Sequence, residues 1–282
     1  MLLKDLLDRL ESILPAKSAM EGDRIGLQVQ SGRQVISSIL VTMEITDEVL
    51  EEAVNIGCDC IISFHPLIYR PLYELNEIER VGRLVTGLIK HSIACVSIHT
   101  TFDTFIEGTS KIIADRLGLA FDGFLLPDKV LPNCGMGVIA TAKPPITEHD
   151  LVKLVSEKLF APVKYTSGSK KDGIKRIAIV GGSGTSFINE ALNAGVDAFI
   201  TADTTYHIFH SVRGKILLID PGHYEMEQFV SLGIAKLLKN IVDDNIKIEL
   251  SAVRSNPISY FGTNFESQQI EYLNNVKINW LN

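Results

Sequence analysis

Two stretches of this chain, 138 positions apart, are similar over twelve residues. From Glu52 the sequence reads EAVNIGCDCIIS and from Glu190 it reads EALNAGVDAFIT, with seven positions identical or exchanging Ser for Thr. The register runs upstream without a gap and pairs Ile39 with Ile177. Each copy has the pattern of a strand, a helix, a Gly turn and a second strand. In the first copy Ile39–Met43 is an apolar run, Thr46 is an N-cap, Gly57 follows the helix and Cys60–Ser63 is the next run. A unit written twice predicts two related α/β units.

The flanking sequence extends this theme. Helical spacing predicts helices over 78–90, 110–117, 148–159 and about 224–240, and short apolar runs predict strands over 93–98, 138–142, 216–219 and 246–253. The Pro- and Gly-containing stretch 126–136 reads as a connection. The expected fold class is therefore α/β, with a first unit over 1–125 that includes an N-terminal helix. A second unit follows over 126–261, and an extension of weaker pattern over 262–282.

Composition narrows the function classes. The 282 residues carry a formal net charge of −7, and Ser167–Arg176 is a locally basic stretch whose Gly and Ser read as a solvated turn. That balance argues against nucleic acid as a partner, because a phosphate-binding face needs clustered Lys and Arg. The opening MLLKDLLDRLESILP has apolar residues at helical spacing broken by charges, unlike the uninterrupted run of a signal peptide. No window approaches the ~18 apolar residues of a membrane span. Cys58, Cys60, Cys95 and Cys134 sit among apolar neighbours and read as buried free thiols. A soluble cytoplasmic protein with no membrane partner is the expectation.

In open α/β sheets ligands bind beyond the carboxyl ends of the strands. Four predicted strand ends carry His or carboxylate: Phe64-His65-Pro66; His99-Thr100-Thr101-Phe102-Asp103; Asp203 with His207; and Asp220-Pro221-Gly222-His223 with Glu227. His223 and Glu227, four apart, fall on one face of a helix, and His99 and Asp103 share that spacing. Imidazole and carboxylate suit zinc, iron, manganese or nickel. Each residue has a plainer reading. A lone His at a strand end is commonly a turn hydrogen-bonder, and an i,i+4 His/Glu pair is common on solvated helices. Asp203 and His207 read equally as groups that orient ligands or as a cap and a packed ring. Agreement among four strand ends is what favours a shared metal site. Gly181-Gly182-Ser183-Gly184 lies between a strand and a helix but lacks the spacing of a phosphate loop, so it reads as a tight turn. No organic cofactor site is expected.

These residues together resemble the Nif-three-like family, whose members are known as GTP cyclohydrolase 1 type 2 homologs. The matching stretches are GDRIGLQV (Gly22–Val29), ISFHPLIY (Ile62–Tyr69), SIHTTFD (Ser97–Asp103), IAIVGGSG (Ile177–Gly184), ITADTTYH (Ile200–His207) and IDPGHYEME (Ile219–Glu227). The resemblance implies two related α/β units packed together, a metal site of two ions in the cleft between them, and a homohexamer. His65, Asp103, His223 and Glu227 match family metal ligands, with Glu227 at the position that bridges both ions. His99 matches a residue close to the metals and His207 a polar residue of the same cavity, so both are candidates to carry protons in catalysis. The implied activity is hydrolysis of a small molecule, a nucleotide such as GTP, by metal-activated water.

This chain departs from the family pattern at Phe64, where the resemblance predicts a second histidine. Phenylalanine cannot ligate, so one of two ions loses a ligand and the expectation is one or two ions per chain. Gly22, Ala202 and Pro221 replace the family's Trp, Gly and Ala. A non-catalytic metal-binding or regulatory assembly protein is the alternative to a hydrolase. A structural protein whose polar strand ends never meet is a third reading.

Overall fold

The computed structural model describes residues 1–281. In chain order α1 (Leu3–Ile13) precedes β1 (Gly26–Val29), β2 (Ser38–Thr42), α2 (Asp47–Asn55), β3 (Cys60–Ser63), α3 (Arg80–Lys90) and β4 (Ala94–Ser97). Then come α4 (His99–Asp103), α5 (Thr109–Arg116), β5 (Ala120–Pro127), β6 (Gly135–Ile146), α6 (Glu148–Leu159), β7 (Lys164–Thr166) and β8 (Ile174–Ile179). The remainder is α7 (Ile188–Asn193), β9 (Ala198–Ile200), α8 (Tyr206–Val212), β10 (Leu217–Asp220), α9 (His223–Glu227), α10 (Val230–Ile241), β11 (Lys247–Leu250) and α11 (Phe265–Leu281). The content is α/β, as the sequence predicts.

Contacts group these elements into two units. The first comprises Met1–Phe102, Val230–Pro257 and the chain from Ile270 onward; the second comprises Asp103–Phe229 and Ile258–Gln269. Neither unit is continuous in sequence, so β11 joins the first sheet, a return of the chain that no linear division of the sequence expresses.

The first unit holds a five-stranded sheet in the order β1-β4-β3-β2-β11. Strands β11, β2, β3 and β4 run parallel, and β1 lies antiparallel at the edge. Every residue of β2, β3 and β4 is buried. This explains why these strands read as unbroken apolar runs rather than alternating ones: helices cover both faces of a parallel sheet. Each of Ile39, Leu40 and Val41, fully buried, contributes on the order of 1.5–3 kcal/mol by leaving water. Cys58, Cys60 and Cys95 are buried here as free thiols, and burial pushes Cys58 and Cys95 up to about 12. They are packing residues, not nucleophiles.

The second unit holds a six-stranded sheet in the order β5-β6-β8-β9-β10-β7. Its centre, β8-β9-β10, is parallel. Strands β5 and β6 form an antiparallel pair beside β8, and β7 lies antiparallel on β10. The stretch expected to be a connection thus holds the end of β5, a turn and the start of β6. Its Pro and Gly residues punctuate a hairpin rather than a linker.

The duplication is exact enough to compare bond by bond. Asp59 follows the Gly57 turn, and its Oδ2 accepts from Ser37 N at 2.7 Å and Ser38 N at 3.2 Å. Asp197, 138 positions on, accepts on Oδ2 from Lys175 N at 2.8 Å and Arg176 N at 3.0 Å. Gly57 and Gly195 sit at φ +68° and +64°, the left-handed conformation that ends each helix and that glycine adopts without strain. The Thr46 hydroxyl caps α2 by accepting from Val49 N at 3.3 Å. Among the described residues no helix is long and apolar enough to cross a membrane.

Candidate functional site

In the first unit the candidate residues His65 and His99 follow β3 and β4, and Asp103 begins the second unit. The chain leaves β3 through Phe64 and His65, pinned by Phe64 N to Thr42 O at 3.0 Å and His65 N to Met43 O at 2.9 Å. His65 faces Glu44, with Nδ1 3.1 Å from Oε2, and the His65 and His99 rings lie edge to face at 5.4 Å. His99 opens α4 and Asp103 closes it, so the segment left open between helix and loop is a short helix.

His99 is held from behind. Its Nδ1 lies 2.7 Å from Asp23 Oδ1, and Asp23 also accepts from the Thr100 N–H at 3.1 Å and from the Thr100 hydroxyl. Burial is the largest single influence on Asp23 and would raise its pKa. The bonds from His99 and Thr100, with the His99 charge, outweigh it and hold the carboxyl well below the usual range. A carboxylate on Nδ1 leaves Nε2 as the outward nitrogen of His99. Sequence reasoning did not identify Asp23; its signal is a lone Asp in a Gly-flanked turn 76 residues from its partner.

Phe64 is fully buried. It packs against His65 with ring centroids at 5.0 Å, against His99 at 5.6 Å edge to face, and against Phe102 at 6.4 Å. It acts as an apolar wall beside two imidazoles.

In the second unit the site is built on α9. His223 and Glu227, one helical turn apart, meet with Nε2 to Oε2 at 2.9 Å, and the other ring nitrogen lies 2.8 Å from Asp203 Oδ2. Glu227 is buried. Burial is the largest single influence on His223 and disfavours its charge. The bonds and charges of Asp203 and Glu227 together outweigh it and raise the pKa to about 11. Asp203 is lowered, chiefly by its bond from His223.

Gly182 makes room for this pair. It sits at φ +61°, and a Cβ placed on it would stand 2.2 Å from Glu227 Oε1 and 3.4 Å from His223 Cε1. Two N–H groups of the glycine turn are already bonded within the unit: Gly181 N to Ser110 Oγ at 3.1 Å and Gly184 N to Thr201 Oγ1 at 2.8 Å. The turn therefore serves close approach to the carboxylate rather than phosphate binding. His207 lies on α8 with its exposed ring against Tyr206 at 5.6 Å, and the structure gives it no bond to His223 or Glu227 among the described residues.

His223 and Glu227 are a His/Glu pair of metal-binding type. A 2.9 Å separation of donor atoms is what two ligands about 2.0–2.1 Å from one ion subtend at roughly a right angle. The donor set and the space kept by Gly182 both fit a divalent cation.

Known proteins place the chain. Residues 1–257 match the family model described as Duf34/NIF3 (NGG1p interacting factor 3). A Lactococcus lactis protein named GTP cyclohydrolase 1 type 2 homolog is 33% identical, over 91% of this chain and 98% of its own length. A Streptococcus pneumoniae protein of the same name is 32% identical, over 92% of this chain and 100% of its own. A crystal structure of a hypothetical protein from Staphylococcus aureus superposes with TM-score 0.85 at 27% identity, covering 93% of this chain and 99% of that one. By the family model over residues 1–257 and by these relatives, the chain belongs to the Duf34/NIF3 family.

Proposed function

We propose that this protein binds a divalent cation through His223 and Glu227, with His65 and Asp103 as the further ligands that the family resemblance supplies, and uses it to hydrolyse a small molecule of the nucleotide class. The observation that carries the reading is the His223–Glu227 pair, one nitrogen and one carboxylate oxygen at 2.9 Å, in a space that Gly182 keeps open. The relatives' name, GTP cyclohydrolase 1 type 2 homolog, supports a purine nucleotide as substrate. A divalent ion held there supplies a Lewis acid and lowers the pKa of water. His99, with Nδ1 against Asp23, is the group that carries a proton at Nε2: it accepts the proton from water as the water oxygen bonds to the purine ring carbon C8, and returns it to the ring nitrogen whose bond to that carbon breaks. His207 is a second proton carrier, reaching substrate from exposed α8. The protein works in the cytoplasm, where its four buried thiols stay reduced, and it assembles as the homohexamer that the resemblance implies.

A second reading is favoured by Phe64. A buried phenyl ring packed against both His65 and His99 removes a ligand the resemblance predicts, and a site reduced to one ion serves a metal-binding or regulatory assembly protein without turnover. The experiment is incubation of purified protein with GTP and related nucleotides, followed by mass spectrometry of the products. The hydrolase reading expects a water-addition product that disappears on chelation and in His223→Ala. Turnover that survives both would overturn it, and metal-dependent stability without turnover supports the second reading.

A further inference from the structure

The reading above uses His223 as a ligand but leaves open what makes it present the right nitrogen. We propose that Asp203 is the positioning residue of this site: it binds His223 at Nδ1 and thereby fixes Nε2, beside Glu227, as the nitrogen offered to the cation. The inference rests on the metal-binding reading and adds to it.

Four observations carry it. Asp203 Oδ2 lies 2.8 Å from His223 Nδ1 while Nε2 lies 2.9 Å from Glu227 Oε2, so the ring is held at both nitrogens and cannot flip without losing both contacts. Asp203 has φ +56°, a conformation that an Asp tolerates better than most residues but that glycine adopts freely. The backbone alone would favour glycine here, and the side chain that stands instead is in use.

The third observation is the duplication. Asp203 lies 138 positions after His65, the offset that matches Asp59 to Asp197 and Gly57 to Gly195. One strand-end position thus bears His65 in the first unit and, in the second, a carboxylate that holds a histidine from the next strand end.

The fourth is Asp220. Its carboxylate is fully buried and accepts from Thr204 N at 2.9 Å and from Gly222 N at 2.9 Å. Thr204 follows Asp203 and Gly222 precedes His223. One carboxylate therefore ties together the two loops whose adjacent residues form the bond, and Lys164 Nζ, 2.9 Å away, balances its charge. The Asp203 side chain is half exposed, so its place is set by this fastening of the backbone on either side rather than by burial. Outer carboxylates of this kind fix the tautomer and orientation of a ligand imidazole, and losing one typically costs about 10–100-fold in metal affinity.

The test is zinc titration by calorimetry on the full-length wild type, Asp203→Gly and Asp203→Asn, with thermal unfolding of each and nitrogen NMR of the zinc-loaded His223 ring. Asp203→Gly relieves the left-handed backbone but loses the bond to His223, so its metal-free Tm should change little, and the variant should stay folded, while its Kd for zinc rises about 10–100-fold. Asp203→Asn keeps an acceptor and should recover part of that loss. The wild-type NMR signature should be a protonated Nδ1 and a zinc-bound Nε2. Unchanged zinc affinity in Asp203→Gly, or zinc on Nδ1, overturns the inference alone. A wild type that binds no zinc overturns the metal-binding reading and this inference with it.

Discussion

Gly182 and Glu227 occupy a space that admits only one of two things, a carboxylate or a Cβ. A methyl on Gly182 would stand 2.2 Å from Glu227 Oε1, closer than any real contact. Gly182→Ala should therefore displace the Glu227 carboxylate and weaken divalent metal binding at least ~10-fold. At φ +61° it should also cost about 1–2 kcal/mol of stability. Calorimetric titration and urea unfolding check the two effects separately. Wild-type affinity in this variant would show that Glu227 does not ligate from the place the structure gives it.

The paired aspartates set a pH dependence. Burial is the largest single influence on Asp59 and on Asp197 and would raise both. The bonds from Ser37 and Ser38, with Arg33, outweigh it at Asp59, and those from Lys170, Lys175 and Arg176 outweigh it at Asp197, so both are lowered on folding. A lowered folded pKa stabilises the protein above the unfolded value, near 3.9, and that contribution is lost as pH falls through the folded value. Urea midpoints should hold steady down to about pH 5 and fall below about pH 4. Asp197→Asn should cost about 1–3 kcal/mol at pH 7 and flatten the acid limb. An acid limb with wild-type slope in Asp197→Asn would contradict this.

Phe64→His should trade stability for a ligand. Phe64 is fully buried against His65, His99 and Phe102, so an imidazole there costs about 1–3 kcal/mol in metal-free protein. With manganese or zinc added, the variant should bind about one more ion per chain than wild type. Equal stoichiometry in the two proteins would remove Phe64 as the reason for a reduced site.

The C-terminal segment supports α9 from outside the family match. Gln269 is fully buried and donates to Phe160 O at 3.1 Å and to Glu225 Oε1 at 3.2 Å, while the Tyr260 hydroxyl lies 3.2 Å from Glu225 Oε2. Gln269→Ala leaves a buried carboxylate with one bond fewer and should cost about 1–3 kcal/mol. Chemical denaturation measures it, and a change under about 0.5 kcal/mol would mean that the segment is dispensable.

What could be read from the sequence follows from physical range. The repeated strand-helix-Gly-strand unit is legible because buried parallel strands give unbroken apolar runs and a left-handed Gly marks each helix end. The i,i+4 spacing of His223 and Glu227 is legible for the same local reason, and the two side chains do meet. The helix expected over 224–240 breaks at Gln228 and Phe229 into α9 and α10, with no Gly or Pro to announce it. Strand β5 was hidden because it ends in Pro127 beside a turn, and helix α11 because its sequence has only a weak apolar periodicity. Asp23 and Gly182 touch partners 76 and 45 positions away, so only the folded chain displays those contacts; Asp203 could be read from sequence only as an even choice between a ligand-orienting group and a cap, and the fold shows its bond to His223.

The central claim is that His223 and Glu227 hold a divalent ion. Elemental mass spectrometry on protein purified without chelator or His-tag, beside Glu227→Gln, tests it most directly. The account predicts at least one transition-metal ion per chain in the wild type and a fall to trace level in the variant, with the fold intact by circular dichroism. Metal-free wild type that also takes up no added ion, or a variant that retains the full complement, would contradict it.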